Sequence, residues 1–324
     1  MATITYLEAI RQGIWEEMER DSSVMCIGED IGVYGGAFKI THGMLDRFGP
    51  SRVVDTPIAE SAIVGAAIGA GFQGLRPVAE MQFSDFISCA FDQIVNFAAK
   101  CRYRWGAPVP IVVRAPSGGG IHGGPYHSQN PEAWFVHTPG LKVIEPSTAY
   151  DAKGLIKSAI RDNDPVIFFE HKALYRRIKD EVPDGDYTVP IGKAKVVREG
   201  RHISVITYGA MVHASLDAAQ TLDREAISLE IIDLRTLLPI DEDAVLTSVK
   251  KTSKVIVLHE ASLTGGIGGE ISARITEKAF EYLDGPVIRI AAPDTPVPFA
   301  PPLEEAFLPN AQKLIEKARW LAKY

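Results

Sequence analysis

The chain has 324 residues, 46% of them hydrophobic and 23% charged, and that balance suits two well-cored globular domains and excludes a disordered chain. Its formal net charge of -7, with no Lys/Arg-rich cluster, leaves no electrostatic footprint for nucleic acid. Cys26, Cys89 and Cys101 lie far apart without a CxxC pair, which argues against a disulfide framework or thiolate zinc site and for a reducing compartment.

From the N-terminus, Met1 to Tyr6 carry no apolar signal core, so a cytoplasmic location is expected. A helical pattern over 5–20 leads to a β-rich run, Val24 to Ile27, ending in Gly28-Glu29-Asp30. A second strand, Arg52 to Val54, runs into Asp55-Thr-Pro-Ile-Ala-Glu60 and a helix over 60–73 made almost wholly of small and apolar residues. Its apolar run, Ala62 to Gly71, is roughly half of the ~20 residues that span a bilayer, so no membrane crossing is expected. Glu60 at the head of this helix has two readings. It is a solvated first-turn acid complementing the helix dipole, or a carboxyl in a poorly hydrated site where it exchanges a proton with a bound ring.

The strand Val78 to Met81 precedes a helical stretch over 85–103, in which Phe83, Phe86, Ile87, Ala90 and Ile94 share one face and read as core. After the strand Ile111 to Arg114 comes a Gly-rich segment reaching Asn130, at a sheet edge where α/β proteins place ligand sites. It lacks the Gly-Lys-Ser/Thr ending of a P-loop but carries His122 and His127. The pair could ligate a metal with Glu132, bond to backbone groups, or transfer protons at a cleft mouth; the loop's position favours proton transfer for at least one of them. Strands Lys142 to Ile144 and Val166 to Glu170, around a helix over 148–161, complete an α/β domain on a largely parallel sheet.

The polar stretch Tyr175 to Tyr187, rich in charge, Pro and Gly, reads as an interdomain linker. Beyond it, strands at Ile203 to Thr207, Leu229 to Asp233, Lys254 to Leu258 and Val287 to Ile290 alternate with helices over 211–223, 241–251 and 268–282, and the chain closes on a helix over 303–322 interrupted by Pro309. Thr264-Gly-Gly-Ile-Gly-Gly-Glu270 fails the dinucleotide fingerprint because position 271 is Ile, and reads as a tight strand-to-helix turn. The expected fold is α/β in two domains, each a largely parallel sheet flanked by helices: 1–178, a linker over 179–195, and 196–324.

Ile27-Gly-Glu-Asp30, Asp55-Thr-Pro-Ile-Ala-Glu60, Gly74-Leu-Arg-Pro-Val-Ala-Glu80 with Gln82-Phe83 and Phe86, Tyr126-His-Ser-Gln129 and Pro139-Gly-Leu-Lys-Val143 follow one another in order. Together with Asp233-Leu-Arg-Thr236 and Asp294-Thr-Pro296, they make the chain resemble the β subunit of a thiamine-diphosphate-dependent 2-oxo acid dehydrogenase, of the transketolase-like superfamily. The resemblance extends from about residue 4 to the C-terminus and implies a pyrimidine-binding domain followed by a transketolase C-terminal-like domain.

By that resemblance Glu60 matches the acid that bonds the ring nitrogen of the cofactor's aminopyrimidine and so activates the cofactor. Glu29, Ile58, Ala59, Gln82 and Phe86 match cofactor-contact positions, Phe86 as the aromatic residue against the ring. Phe83, Ser84, Asp85 and Phe86 would border the substrate side chain. His127 matches the histidine that assists acyl transfer to an incoming lipoyl group, whereas His122 reads as loop scaffolding. Ile111, Ala159, Asp162 and Asp164 stand where some relatives hold a monovalent cation, K⁺, through backbone oxygens, with Asp164 departing from the more usual Asn.

Such enzymes anchor Mg²⁺ and the diphosphate on a Gly-Asp-Gly element followed by Asn, and this chain has none; Pro183-Asp-Gly-Asp186 lacks the order. The resemblance therefore implies a separate α subunit in an α2β2 heterotetramer that docks on a lipoyl acyltransferase core. A self-contained transketolase-like enzyme would need the missing element, and a non-catalytic assembly module would need neither Glu60 nor His127. Tyr126-His-Ser-Gln-Asn-Pro-Glu132 and Asp294-Thr-Pro-Val-Pro298 look closer to branched-chain members than to pyruvate or acetoin members.

Overall fold

Thr5 ends a short strand, β1 (Ala2–Thr5), and caps the first helix, α1 (Tyr6–Arg20). Its hydroxyl accepts from the Glu8 N–H while the Glu8 carboxylate accepts from the Thr5 N–H, so two orphan donors are satisfied reciprocally. In the computed structural model, which describes residues 2–324, the chain continues through β2 (Val24–Glu29), α2 (Met44–Phe48), β3 (Val53–Thr56), α3 (Glu60–Phe72), β4 (Arg76–Glu80) and α4 (Ala99–Trp105). There follow β5 (Val112–Ser117), α5 (Glu132–Val136), β6 (Lys142–Ile144), α6 (Ala149–Arg161), β7 (Val166–His171) and β8 (Lys179–Val182). The helical pattern over 85–103 is realised in pieces: a 3₁₀ segment Ser84–Ala90, a π segment Gln93–Ala98, and α4.

Two compact units divide the chain, one reaching Ser117 and resuming over Trp134–Ile191, the other comprising Gly118–Ala133 and Gly192–Tyr324. In the first unit six parallel strands lie in the order β6-β7-β5-β4-β2-β3. Strands β2, β5 and β7 are buried along their whole length, as strands covered on both faces must be, and read as near-continuous apolar runs. The polar segment Lys179–Val182 is a strand, pairing antiparallel with β1 and setting Val182 beside Ile4 in a small cluster with Ala9 and Ala149. Four residues with one inward apolar side chain leave too short a pattern for periodicity to reveal.

The second unit adds β9 (Lys195–Arg198), β10 (Ile203–Thr207), α7 (Ala210–Asp223), β11 (Leu229–Asp233), β12 (Thr236–Leu238), α8 (Glu242–Thr252) and β13 (Val255–Ser262). It ends with α9 (Ile267–Ala279), β14 (Ile288–Ala292), α10 (Pro301–Phe307) and α11 (Ala311–Ala322). Its sheet runs β14-β13-β10-β11-β9, parallel except for β9 at the edge. Ile203, Val205, Ile231, Ile256 and Leu258 from the strands pack with Leu222 of α7 and Leu314 of α11 as its core. The glycines opening α9 lie on His259: a Cβ at Gly266 would be 2.6 Å from its Cε1, and one at Gly268 2.5 Å from its Nε2. This turn serves close helix-to-sheet packing. Among the described residues no helix is long and apolar enough to cross a membrane.

Candidate active site

The chain leaves β2 to form β3 on one side and then crosses back to form β4 on the other. Open α/β sheets bind ligands at such reversals, outside the carboxyl ends of the strands. Gly28, the register partner of Glu80, allows β2 and β4 to close up, since a Cβ there would lie 2.9 Å from the Glu80 carbonyl oxygen. Beyond it, Glu29 and Thr56 are register partners at the ends of β2 and β3. Glu29 Oε1 and Thr56 Oγ1 are both buried without a hydrogen-bond partner. Each such orphan costs roughly 1–3 kcal/mol, so two together mark a place built for a polar ligand.

Burial, and then the negative charges of Glu60 and Asp30, push the Glu29 carboxyl above the ordinary carboxylate range, against the pull of the Ala59 N–H. Glu60 is the first residue of α3 and only 8% exposed, so it is not a solvated helix end. Ala59, at the N-cap, supplies no capping side chain. The small side chains of Ala62, Gly65 and Ala66, with Cys89 and Gln93, line an open cleft of about 700 Å³ beside Glu60. Ile58, in the short loop between β3 and α3, is 82% exposed although apolar.

Gln82 to Phe86 follow β4. Ser84 and Asp85 are buried, while Gln82, Phe83 and Phe86 are partly so. The expected core face divides here: Ile87, Ala90 and Ile94 are fully buried, whereas Phe86 keeps an open edge. Phe83 meets Phe86 edge to face at 6.1 Å and Phe38 at 5.4 Å, holding the aromatic wall in one geometry. Under it, Arg114 of β5 pairs with Glu80 and Glu170, and Tyr175 Oη donates to Glu170 Oε2 at 2.7 Å.

Glu29, Ile58, Ala59, Glu60 and Gln82 to Phe86 thus gather in the first unit. The loop bearing His122 and His127 belongs to the second. There His127 is partly buried just after a 3₁₀ turn, Gly124–Tyr126, and His122 Nδ1 donates to Glu304 Oε2 at 2.6 Å. Glu260 Oε1 accepts from the Gly119 N–H at 2.7 Å and from Asn130 Nδ2 at 2.9 Å. Glu132 accepts from Tyr208 Oη at 2.6 Å, and its burial, with a smaller contribution from the charge of Glu260, pushes its carboxyl up to about 7. Among the described residues no three His, Cys, Asp or Glu side chains are grouped to hold a metal.

The four residues considered for a monovalent cation meet at the opposite, amino-terminal edge of the first sheet. Ile111 O accepts from the Val166 N–H, Ala159 O from the Asp162 N–H, and Asp162 O from Arg76 Nη1 at 2.9 Å. Lys142 Nζ lies 2.6 Å from Asp162 Oδ2 and 3.3 Å from Asp164 Oδ2, and Arg102 pairs with Asp164. The carboxylates are thereby neutralised by this chain's own cations.

Thr56, Tyr208, Glu260 and Glu304 escaped the sequence reading. Thr56 lies inside Asp55-Thr-Pro-Ile-Ala-Glu60, but only its burial reveals that its hydroxyl is orphaned. The other three act on a loop 76 to 184 residues distant, and no local pattern carries that.

The chain matches the model of the transketolase pyrimidine-binding domain over residues 2–178 and that of the transketolase C-terminal domain over 192–314. It is 52% identical over 329 residues to the 2-oxoisovalerate dehydrogenase subunit beta of Bacillus subtilis (strain 168), covering all of both chains. It is 46% identical over 326 residues to the pyruvate dehydrogenase E1 component subunit beta of the same organism, again over 100% of each, and 46% identical to that of Staphylococcus aureus over 98% of each. Among solved structures, a split gene transketolase described as an inactive beta4 tetramer superposes with a TM-score of 0.81 at 22% identity, over 99% of each chain, which speaks for the fold.

Proposed function

Since this chain belongs to the family of thiamine-diphosphate-dependent 2-oxo acid dehydrogenase β subunits, we propose that Glu60 engages the cofactor's aminopyrimidine and that the chain works only with an α subunit. The observation that carries this is the buried Glu60 beside Glu29 Oε1 and Thr56 Oγ1, two orphaned oxygens at the sheet's reversal. A polar heterocycle with ring nitrogens and an amino group fits that donor set. When bound, thiamine diphosphate supplies a nucleophilic carbon that adds to the 2-oxo carbonyl and accepts the electron pair left by carbon dioxide.

The chain's own residues do the rest. Glu60 holds a proton at a carboxyl oxygen for the ring nitrogen. Burial, and then the neighbouring acids Glu60 and Asp30, raise the Glu29 carboxyl, so Glu29 accepts a proton more readily than an exposed carboxylate. Exposed Ile58, with Ala59, Gln82 and the open edge of Phe86, excludes water from the ring, and Phe83 to Phe86 border the substrate side chain. His127 donates a proton during acyl transfer to the lipoyl group.

The α subunit is assigned the diphosphate and Mg²⁺, for which this sequence has no Gly-Asp-Gly element. Tyr103, 97% exposed, stands with Trp105 and Phe97 on an exposed aromatic patch, which supports an α2β2 assembly on a lipoyl acyltransferase core. A K⁺ ion on the backbone oxygens of Ile111, Ala159, Asp162 and Asp164 belongs to the same reading, as does a cytoplasmic location, in keeping with three free cysteines.

Branched-chain 2-oxo acids are the favoured substrates, supported by 52% identity to the 2-oxoisovalerate enzyme against 46% to the pyruvate enzymes; pyruvate is the competing reading. Reconstitution with the α subunit, followed by kinetics on 2-oxoisovalerate, pyruvate and 2-oxoglutarate, tests all of this. The chain alone with thiamine diphosphate and Mg²⁺ should be inactive, and the complex should show its highest kcat/KM with 2-oxoisovalerate. Turnover by the isolated chain would overturn the α-subunit requirement, and a preference for pyruvate would overturn the substrate.

A further inference from the structure

The segment Gly118–Ala133 is rich in glycine and contains no strand, yet it carries both histidines. Such a segment keeps one shape only where groups outside it satisfy its backbone. Glu304, on α10, is 1% exposed and turns its carboxylate onto this loop. Oε1 accepts from the Gly120 N–H at 3.0 Å, and Oε2 from the His122 N–H at 3.2 Å and from His122 Nδ1 at 2.6 Å. Glu260 ties the two limbs of the loop together by accepting from the Gly119 N–H and from Asn130 Nδ2.

His122 itself has φ +59, a left-handed conformation that few non-glycine residues adopt unless their surroundings impose it. Its backbone and its ring both bond to Glu304, which supplies that constraint. The half-exposed ring is thereby oriented by its Nδ1 bond to the buried carboxylate. Two buried carboxylates pinning one glycine-rich loop exceed what chain continuity requires.

We propose that Glu304 is a positioning residue for acyl transfer: through His122 it holds the loop in the shape that presents His127. This rests on the role assigned to His127 above. The test uses the complex reconstituted with its α subunit and a lipoyl domain. Decarboxylation with an artificial electron acceptor is compared with reductive acylation, and amide hydrogen exchange is followed over 118–124. Glu304→Gln places an NH₂ group where a carboxylate oxygen accepts, so one bond of this set worth about 1.4 kcal/mol converts to roughly tenfold faster exchange. Acylation should fall on the order of tenfold or more, with decarboxylation within about twofold.

His122→Gln removes the ring bond while leaving the buried carboxylate, and should show the same split more weakly even where Glu304→Gln folds poorly. Unchanged exchange in Glu304→Gln, or equal loss of both steps while His127→Ala separates them, overturns the positioning role. Equal losses in His127→Ala itself overturn the role of His127 instead, and with it the assignment of the loop to acyl transfer.

Discussion

Arg114 meets Glu170 edge to edge, Nε to Oε1 at 2.6 Å and Nη2 to Oε2 at 2.7 Å, with both side chains essentially fully buried. The same guanidinium pairs with Glu80 of the adjacent strand β4, and Tyr175 closes the network on Glu170. One guanidinium is therefore shared between two buried carboxylates, and burial still pushes the Glu80 carboxyl above the ordinary carboxylate range. Arg114→Met would leave both without it, and we expect a loss of about 3–5 kcal/mol in urea unfolding. A loss under about 1 kcal/mol would show that the network is dispensable.

Glu60→Gln preserves shape but removes the exchangeable carboxyl proton. Decarboxylation by the reconstituted complex should fall by about 10²–10⁴-fold, the usual scale of a lost acid or base, while gel filtration still shows the assembled complex. Near-normal turnover would refute the role assigned to Glu60.

His127→Ala should separate the two halves of the reaction. Acylation of a lipoyl domain should drop by about 10²-fold or more, with a smaller change in decarboxylation read by an artificial acceptor. A uniform loss would remove His127 from the acyl-transfer step.

His259 is fully enclosed, and both ring nitrogens lack partners; burial, aided by the charge of Arg289, lowers its pKa from 6.5 to about 4. The unfolded chain then binds a proton that the native imidazole refuses, so stability declines as pH falls from about 6.5 towards 4. The full effect is on the order of 3 kcal/mol. Urea midpoints of His259→Leu should fall less steeply over this window than those of the parent protein; parallel curves would exclude this origin.

Glu132 has the opposite sign. Burial pushes its native carboxyl up to about 7 from an ordinary 4.5, so the stability that its protonated form contributes at acid pH is lost as pH rises between those values. Glu132→Gln keeps an acceptor for Tyr208 and carries no charge, and should gain stability relative to the parent at pH 8 compared with pH 5. A pH-independent difference between the two proteins would show that Glu132 is not raised.

Much of the fold was legible because strands such as Val166–His171 and Ile203–Thr207 are rich in β-branched or aromatic residues and bounded by turn residues. The ribbon of β1 with β8 and the edge strand β9 were not, since such four-residue strands, two of them carrying charged residues, are made strands by their partners. In the site, Glu60 stood out because its neighbours along the chain are small and apolar. Phe86 did not, because helical spacing assigns it to the same face as Ile87 and Ala90, and only packing separates the partly open ring from the buried ones.

By itself the sequence determined the order of elements, the Gly-rich loop with its histidines, the isolated acid at the head of α3 and the absence of a Gly-Asp-Gly element, all properties of residues close together in the chain. Only tertiary structure decided that burial, and then the charge of Glu60, raise the Glu29 carboxyl, that Thr56 lies beside Glu29 with its hydroxyl unsatisfied, and that Glu304 clasps His122 from 182 residues away. Burial and electrostatic coupling depend on distance in space, and the crossing of the chain over β2 sets that distance.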